Sequence, residues 1–357
     1  MKILAIRFSA MGDVVLTMPV LKAVLHSNPE LQIDILTRRS FQVFFKHIER
    51  LNIREENIDL EFKSLIGLVH LFNQLRKEKY DLVIDLHGSL RSKILCYLFY
   101  LSGVTFASID KGRAEKKNLL GNIRSNTKPL KHTLERYADV FRKCNIVIET
   151  ERLHQFGFKS SQIEKNKIEK TIKENIWVSS IKIGIAPFSQ HQLKSWPIER
   201  IQKLIELLVH EYKHRIHIFL FGGGQHEMKI LSTLQDMNSE CIHIAGDVFN
   251  LAEQIEFMNH LDVMITMDSA NLHLANLTQC KNVISLWGPT HTYLGFGPLV
   301  PGKNVIIEIP TSELSCRPCS VYGNIPCSRG DHACMERISV DKVLEQVKSV
   351  LPLSIEK

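Results

Sequence analysis

Apolar residues fall along this chain in short runs separated by polar, glycine-bearing turns. Ile3–Ile6 is an unbroken apolar run of strand length, and Val14–His26 reads as the helix that follows it. Gln32–Leu36 (QIDIL) reads as the next strand, Leu65–Arg76 as a helix, and Leu82–Leu86 as a strand ending at the polar residues Asp85, His87, Gly88, Ser89 and Arg91. Strands alternating with helices predict a parallel, doubly wound α/β sheet.

The stretch Asp110–Lys131 breaks the rhythm. It carries Lys111, Arg113, Lys116, Lys117, Arg124, Lys128 and Lys131 against only Asp110 and Glu115, and reads as a long functional or mobile loop. Gln162–Glu174, rich in Lys and Glu with Ile163, Ile168 and Ile172, reads as a helix leading to a linker. A second alternation then starts. Ile181–Ala186 is a strand ending in Pro187, and Pro197 opens a helix whose Ile198, Ile201, Leu204, Ile205 and Leu208 keep helical spacing. His217–Phe221 ends at Gly222, Gly223 and Gly224. Asp262–Thr266 ends at Met267, Asp268 and Ser269, and Asn282–Trp287 at Gly288, Pro289 and Thr290. Val340, Val343, Leu344, Val347 and Leu351 form one stripe after Ser339, a good N-cap. The chain therefore divides into an N-terminal domain over 1–172 and a C-terminal domain over 173–338, with helix 339–357 a candidate to pack back on the first.

Composition fits this picture. A length of 357 residues suits about two domains, and 44% hydrophobic with 23% charged residues is ordinary for a globular chain. The net charge of +7 suits an anionic ligand or membrane surface, and no basic stripe interleaved with aromatics points to nucleic acid. Arg7 and Asp13 interrupt the N-terminus before a signal-peptide core forms. The apolar run Ile94–Val104 is much shorter than the roughly twenty residues a membrane span needs. These features predict a cytoplasmic protein, peripheral to a membrane at most.

Candidate chemistry sits where strands end. After the first strand come Arg7, Ser9, Gly12 and Asp13, a turn that allows close backbone approach and presents a carboxylate. A phosphate loop would carry more glycines and a lysine, so Asp13 reads as a general base. The segment Ser189-Gln190-His191-Gln192-Leu193-Lys194, between a strand end and a helix start, suits a diphosphate. Gln225 follows the triple glycine. Asp268, Ser269, Ala270 and His273 cluster at a strand end and suit a sugar or phosphate. His87, Arg91, Arg113, Lys116 and Lys117 are candidates for an anionic acceptor. Cys316, Cys319, Cys327 and Cys334, within 316–334, are spaced so that they could enclose a structural metal ion, zinc or iron, although only one CxxC is present. Plainer readings stand beside these: Asp13 and Ser269 as helix caps, His273 as a core histidine, the lysines as a solvated face, the cysteines as reduced thiols.

Taken together, IRFSAMGDVVLTMPVL, IGIAPFSQHQLKSWP, MDSANLHLAN, LWGPT and CRPCSVYGNIPCSRGDHACM resemble, in this order, the motifs of the ADP-heptose–lipopolysaccharide heptosyltransferases, glycosyltransferase family 9. The resemblance implies a GT-B fold, two Rossmann-like domains with parallel sheets facing across a cleft. It implies inverting transfer of heptose from ADP-heptose to the lipopolysaccharide inner core at the inner face of the cytoplasmic membrane, with no cofactor required. Asp13 would be the base, and Ser9 and Gly12 would lie on the acceptor side. Ser189, Gln190 and Lys194 would hold the donor diphosphate, and Asp268 and Ser269 the donor sugar and phosphate, with His273 supporting that loop. Two positions depart from the family pattern: Ala270 replaces a frequent Gly, and Gln225 a Glu that contacts the donor ribose in some members. The alternatives are a GT-B transferase using another nucleotide sugar for a different surface glycan, or a non-catalytic nucleotide-binding module. No GxGxxG follows a strand, which disfavours a dehydrogenase.

Overall fold

The computed structural model describes residues 1–56, 58, 64–123, 126–149, 151, 153–175, 177–300 and 302–351. The chain forms two compact units. One comprises Met1–Arg113 with Lys131–Lys159, the other Ala114–Leu130 with Ser160–Lys357.

The first unit is built on a parallel sheet of β1 (Lys2–Ile6), β2 (Gln32–Leu36), β3 (Leu51–Ile53), β4 (Leu82–Asp85) and β5 (Thr105–Ser108), in the order β3-β2-β1-β4-β5. The expected helix after β1 is two helices, Met11–Val15 and Thr17–Ser27. Pro19 has no N–H for the ladder and the Thr17 hydroxyl donates back to Val14 O at 2.7 Å, so the ladder is interrupted near Leu16. Leu4, Ile6, Val83, Leu71, Leu75 and Phe99 pack in one buried cluster between the sheet and two helices, Leu65–Leu75 and Leu90–Leu101.

The second unit is built on a parallel sheet of β6 (Ile181–Ala186), β7 (Ile216–Leu220), β8 (Ile242–Ile244), β9 (Val263–Met267), β10 (Asn282–Trp287) and β11 (Asn304–Glu308), in the order β11-β10-β9-β6-β7-β8. The helix Ile198–Tyr212 buries Ile201, Leu204, Ile205 and Leu208, the stripe expected from its spacing.

Both sheets start with a strand that has its sequence successors on one side and a later strand on the other. The winding reverses between β1 and β4 in the first unit and between β6 and β9 in the second. Ligands of open α/β sheets bind outside the carboxyl ends of the strands at such reversals.

The division of the chain differs from the expected one in three places. Helix Gln162–Glu174 belongs to the second unit. It buries Ile168 and Ile172, packs on helix Leu251–Phe257, and Lys167 bonds Glu253 at 2.7 Å. The C-terminal helix Val340–Val350 packs on Ile198–Tyr212 in that same unit. Val343 and Val347 enter its core and Tyr212 donates to Leu351 O at 2.9 Å. It groups with the second unit; residues 352–357 of the expected segment lie outside the described residues. Finally, the basic segment Ala114–Leu130 joins the second unit, and contains much of a short helix, Arg113–Asn118, where a loop was expected. Among the described residues no helix is long and apolar enough to cross a membrane.

Candidate active site

In the first unit the carboxyl ends of β1 and β4 lie side by side, with Ile6 opposite Asp85. Arg7, one residue past β1, is buried. It donates to Leu86 O at 2.6 Å, forms an ion pair with Asp13, and lies over the Tyr137 ring with its guanidinium carbon 5.6 Å from the centroid. Asp13 stands in the first turn of helix Met11–Val15. Its Oδ2 takes the Arg7 contact and accepts from Ala10 N at 3.4 Å, and neither contact uses Oδ1. Tyr137 also donates to the Asp13 backbone oxygen at 3.2 Å. The carboxylate is about one-third exposed, so it is oriented but accessible.

Around this pair stand two more basic groups. His87 bonds the backbone of Ser9 and packs edge-on to Phe8, centroids 5.3 Å apart. Burial, then the charges of Arg7 and Lys111, push its pKa down to about 3, so the ring is neutral at physiological pH. Its Nδ1 is buried with no hydrogen-bond partner among the described residues. Burial, then Arg7, lowers the pKa of Lys111. Ser9 and Gly12 are partly accessible in the turn between Arg7 and Asp13, while Arg91 and Arg113 are exposed.

Asp85, the last residue of β4, has a structural role. It is fully buried and accepts four hydrogen bonds: His87 N and Gly88 N at 2.9 Å, Ser92 Oγ at 3.1 Å and Ser108 Oγ at 2.6 Å. It fixes the loop that carries His87 and has no need of a ligand. Lys116 is withdrawn from the expected acceptor surface. It is only 3% exposed, with its ammonium 4.0 Å from the centroid of the Phe296 ring. Both residues belong to the second unit, where a cation over an aromatic face is a stable resting place. Lys117 is exposed, and Arg124 lies outside the described residues.

In the second unit three adjacent strands, β10, β9 and β6, deliver side chains to one point. Asp268, one residue past β9, is buried. Its Oδ2 accepts from Thr290 Oγ1, beyond β10, at 2.7 Å and from Lys194 Nζ, beyond β6, at 3.3 Å. Ser189 Oγ donates to Asp268 O at 3.1 Å and Ser189 N donates to Ser195 Oγ at 3.2 Å, which ties the two loops together. Ser269 occupies the N-cap position of helix Ala270–Asn276 without making the capping bond. Its hydroxyl lies 3.2 Å from that of Thr266. His273 is buried one turn later. Ala270 is half-buried, Gln190 and Gln225 are exposed, and Gly223 N donates to Glu227 at 2.8 Å.

The Lys194 loop has a support that the motifs alone do not reveal. Trp196 is buried and donates to Ile338 O at 3.1 Å, and His332 bonds Leu193 O at 2.7 Å. Gly323 lies so close to Lys194 that a Cβ there would fall 2.4 Å from its Cγ. Arg317, also buried, donates to Gly288 O at 2.6 Å and to Thr290 O at 3.2 Å. Hence the Cys-rich segment walls the loops that carry Lys194 and Thr290. Its four cysteines are free thiols. Burial, with Cys319 and the other thiols nearby, pushes Cys334 up to about 12. Among the described residues no group of three or more His, Cys, Asp and Glu is arranged to hold a metal ion, while the four thiols are close enough to one another to interact electrostatically.

Three relationships were not assigned from the sequence: Thr290 as the second donor to Asp268, Arg7 as the partner of Asp13, and Tyr137 beneath Arg7. A polar residue close after a strand end, one position past β1 for Arg7 and three past β10 for Thr290, was the available signal for the first two. Tyr137 lies in a distant helix and had none.

The profile of glycosyltransferase family 9 (heptosyltransferase) matches residues 68–325. Lipopolysaccharide heptosyltransferase 1 of Campylobacter coli is 25% identical over 313 residues, covering 82% of this chain and 85% of that protein. The family 9 glycosyl transferase of Veillonella parvula superposes with a TM-score of 0.73 at 16% identity, over 98% of this chain and 97% of that one. The E. coli heptosyltransferase WaaC with ADP-2-deoxy-2-fluoro heptose gives 0.64 at 17% identity, over 98% and 99%. The chain belongs to glycosyltransferase family 9 and has its GT-B fold, two Rossmann-like units with parallel sheets; it is a glycosyltransferase.

Proposed function

We propose that this family 9 enzyme moves a heptose from ADP-heptose to the inner core of lipopolysaccharide, inverting the anomeric carbon with Asp13 as general base. The observation that carries the reading is the convergence of Lys194, Thr290 and Ser189 on Asp268 at the winding reversal of the second sheet. It gathers a cation and hydroxyl groups where a nucleotide diphosphate is expected. The names of the relatives, heptosyltransferases of lipopolysaccharide, support the substrates.

In the first unit the Arg7–Asp13 pair supplies the base. Asp13 Oδ1 takes the proton of the acceptor hydroxyl as its oxygen forms a bond to C1 of the heptose. The C1–O bond to ADP breaks on the opposite side, and ADP leaves with the electron pair. Lys194 leaves the Asp268 carboxylate for the developing charge on the diphosphate. Asp268 holds Lys194 ready and offers its other oxygen to a sugar hydroxyl. Ser189, Gln190, Ser269, Ala270 and Gln225 line the donor side, with His273 behind the loop. Ser9, Gly12, His87, Arg91, Arg113, Lys117 and the cation Lys111 serve an anionic acceptor. The site of action is the cytoplasmic face of the inner membrane. This reading asks for no cofactor in the chemistry, and Cys316, Cys319, Cys327 and Cys334 would be the residues to hold a structural zinc or iron ion.

Calorimetry with ADP, UDP, GDP, CDP and NAD tests the donor. A preference for ADP supports the reading, a preference for UDP or GDP replaces the donor, and no binding removes it. A transfer assay on heptose-deficient lipopolysaccharide then tests the base. Asp13→Asn is expected to bind ADP as the native protein does and to lose about 10²–10⁴-fold in kcat. Retained turnover would sink the assignment.

A further inference from the structure

Helix Leu90–Leu101 has two apolar sides. Leu95, Cys96 and Phe99 close on the core of the first unit. On the opposite side Leu90, Ile94, Tyr97 and Leu101 follow one another at four-, three- and four-residue steps, which keeps them on one face of the helix. Leu90 is 77% exposed, Leu101 73% and Tyr97 58%, where a water-facing helix ordinarily carries charge. The helix packed beside it, Leu65–Leu75, adds Leu65, Ile66 and Val69, with Ile66 84% exposed. Two helices packed side by side thus both expose large apolar side chains that the transfer chemistry does not use.

The charge carried by the two helices themselves is of one sign. Neither helix contains Asp or Glu, while Leu90–Leu101 carries Arg91 and Lys93. Tyr97 and Tyr100, ring centroids 5.9 Å apart, are both exposed on this helix. Apolar anchors, tyrosines with a polar tip and long cationic stems are the elements of a surface lying in a membrane interface.

We propose that this face docks on an anionic lipid bilayer, with both helices lying in the headgroup region. The absence of carboxylates favours lipid over a second copy of the chain. A two-fold pairing of the face would set the cations of one copy against those of the other. The direction of one helix also fits. Leu90–Leu101 starts at the carboxyl end of β4, where Ser92 Oγ donates to Asp85 and Asp85 lies opposite Ile6, so the docked face would begin near Asp13 and a lipid-anchored acceptor. That last point rests on the transfer reading above; the lipid contact itself does not.

Flotation of the full chain with vesicles tests it. The native protein is expected to float with vesicles of phosphatidylcholine mixed with phosphatidylglycerol, and more weakly with phosphatidylcholine alone. The triple variant Leu90→Ser, Tyr97→Ser, Leu101→Ser is expected to lose about ten-fold or more in partitioning. Lys93→Glu is expected to remove part of the salt-sensitive binding. ADP affinity, measured on each variant, reports folding and is expected to be unchanged. Absence of native binding, or equal binding by the triple variant, overturns the proposal. So does a native dimer that the triple variant dissolves. Failure of ADP binding or transfer in the native protein would overturn the catalytic reading and leave the vesicle result standing.

Discussion

The ammonium of Lys194 lies 3.3 Å from Oδ2 of Asp268, and the same oxygen takes the Thr290 hydroxyl at 2.7 Å. Three sequence-distant loops are thus pinned by one carboxylate oxygen, and each loop begins where a central strand of the sheet ends. Both side chains of the ion pair are nearly buried, so their attraction is little screened by water.

Removing one charge should therefore cost more than removing both. Lys194→Met leaves the buried carboxylate with the Thr290 hydroxyl alone and should destabilise the fold by about 1–3 kcal/mol. The double variant Lys194→Met, Asp268→Asn should recover part of that loss, giving a favourable coupling in a double-mutant cycle by urea unfolding. Additive effects would mean that the pair is not coupled. ADP binding should be weakened in both variants.

The Cys-rich segment should influence donor binding through shape. Gly323 has φ of +77°, and a Cβ there would meet the Lys194 side chain at 2.4 Å. Gly323→Ala should strain the turn and displace Lys194, raising the Kd for ADP about ten-fold, or roughly 1.4 kcal/mol. Calorimetry checks it, and an unchanged Kd would show that the wall is not needed.

Much of this was legible because the chain announces strand ends. Ile181–Ala186, Asn282–Trp287 and Gln32–Leu36 occupy the ranges their apolar runs predicted. The edge strands Leu51–Ile53 and Thr105–Ser108 escaped because each is short and its apolar residues are interrupted by polar ones, Asn52 in the first and Thr105 and Ser108 in the second, so neither shows a clear run. Helix Leu90–Leu101 escaped because apolar residues on both sides hide the helical period. Lys116 looked solvated by its neighbours in sequence; its partner Phe296 lies far along the chain. The helix Gln162–Glu174 was located from its pattern, but not its domain. That depended on Ile168 and Ile172 meeting the distant helix Leu251–Phe257.

Acid should unfold the protein by charging buried histidines. Burial lowers His87 to about 3 and His243 to about 4, and lowers His217, whose Nδ1 lies 2.9 Å from His243 Nε2. Between their unfolded value near 6.5 and these folded values the unfolded chain binds more protons, so stability falls as pH drops through that window. Tm should be flat near pH 7–8 and decline below about 6.5, before most carboxylates titrate. His243→Phe, among Trp177, Phe219 and Phe257, should flatten the slope between pH 6.5 and 5. An unaltered slope would assign the acid sensitivity elsewhere.

Arg7 should matter for rate and not for donor affinity. Its guanidinium reaches Leu86 O and Asp13 at once while lying over Tyr137, a planar fork that a lysine cannot copy. Arg7→Lys keeps the charge and loses the geometry. Asp13 is then left to the weak 3.4 Å contact with Ala10 N, and its Oδ1 no longer points consistently at an acceptor hydroxyl. A base displaced by about an ångström costs about 10²-fold in rate. The expected result is a kcat reduced on that scale, with the ADP Kd unchanged because the diphosphate is proposed to bind in the other unit. Tyr137→Phe keeps the ring beneath Arg7 and removes only the bond to the Asp13 backbone, so its loss should be smaller. If Arg7→Lys instead weakened ADP and left kcat intact, Arg7 would belong to binding, and Asp13 would lose the partner that makes it a plausible base.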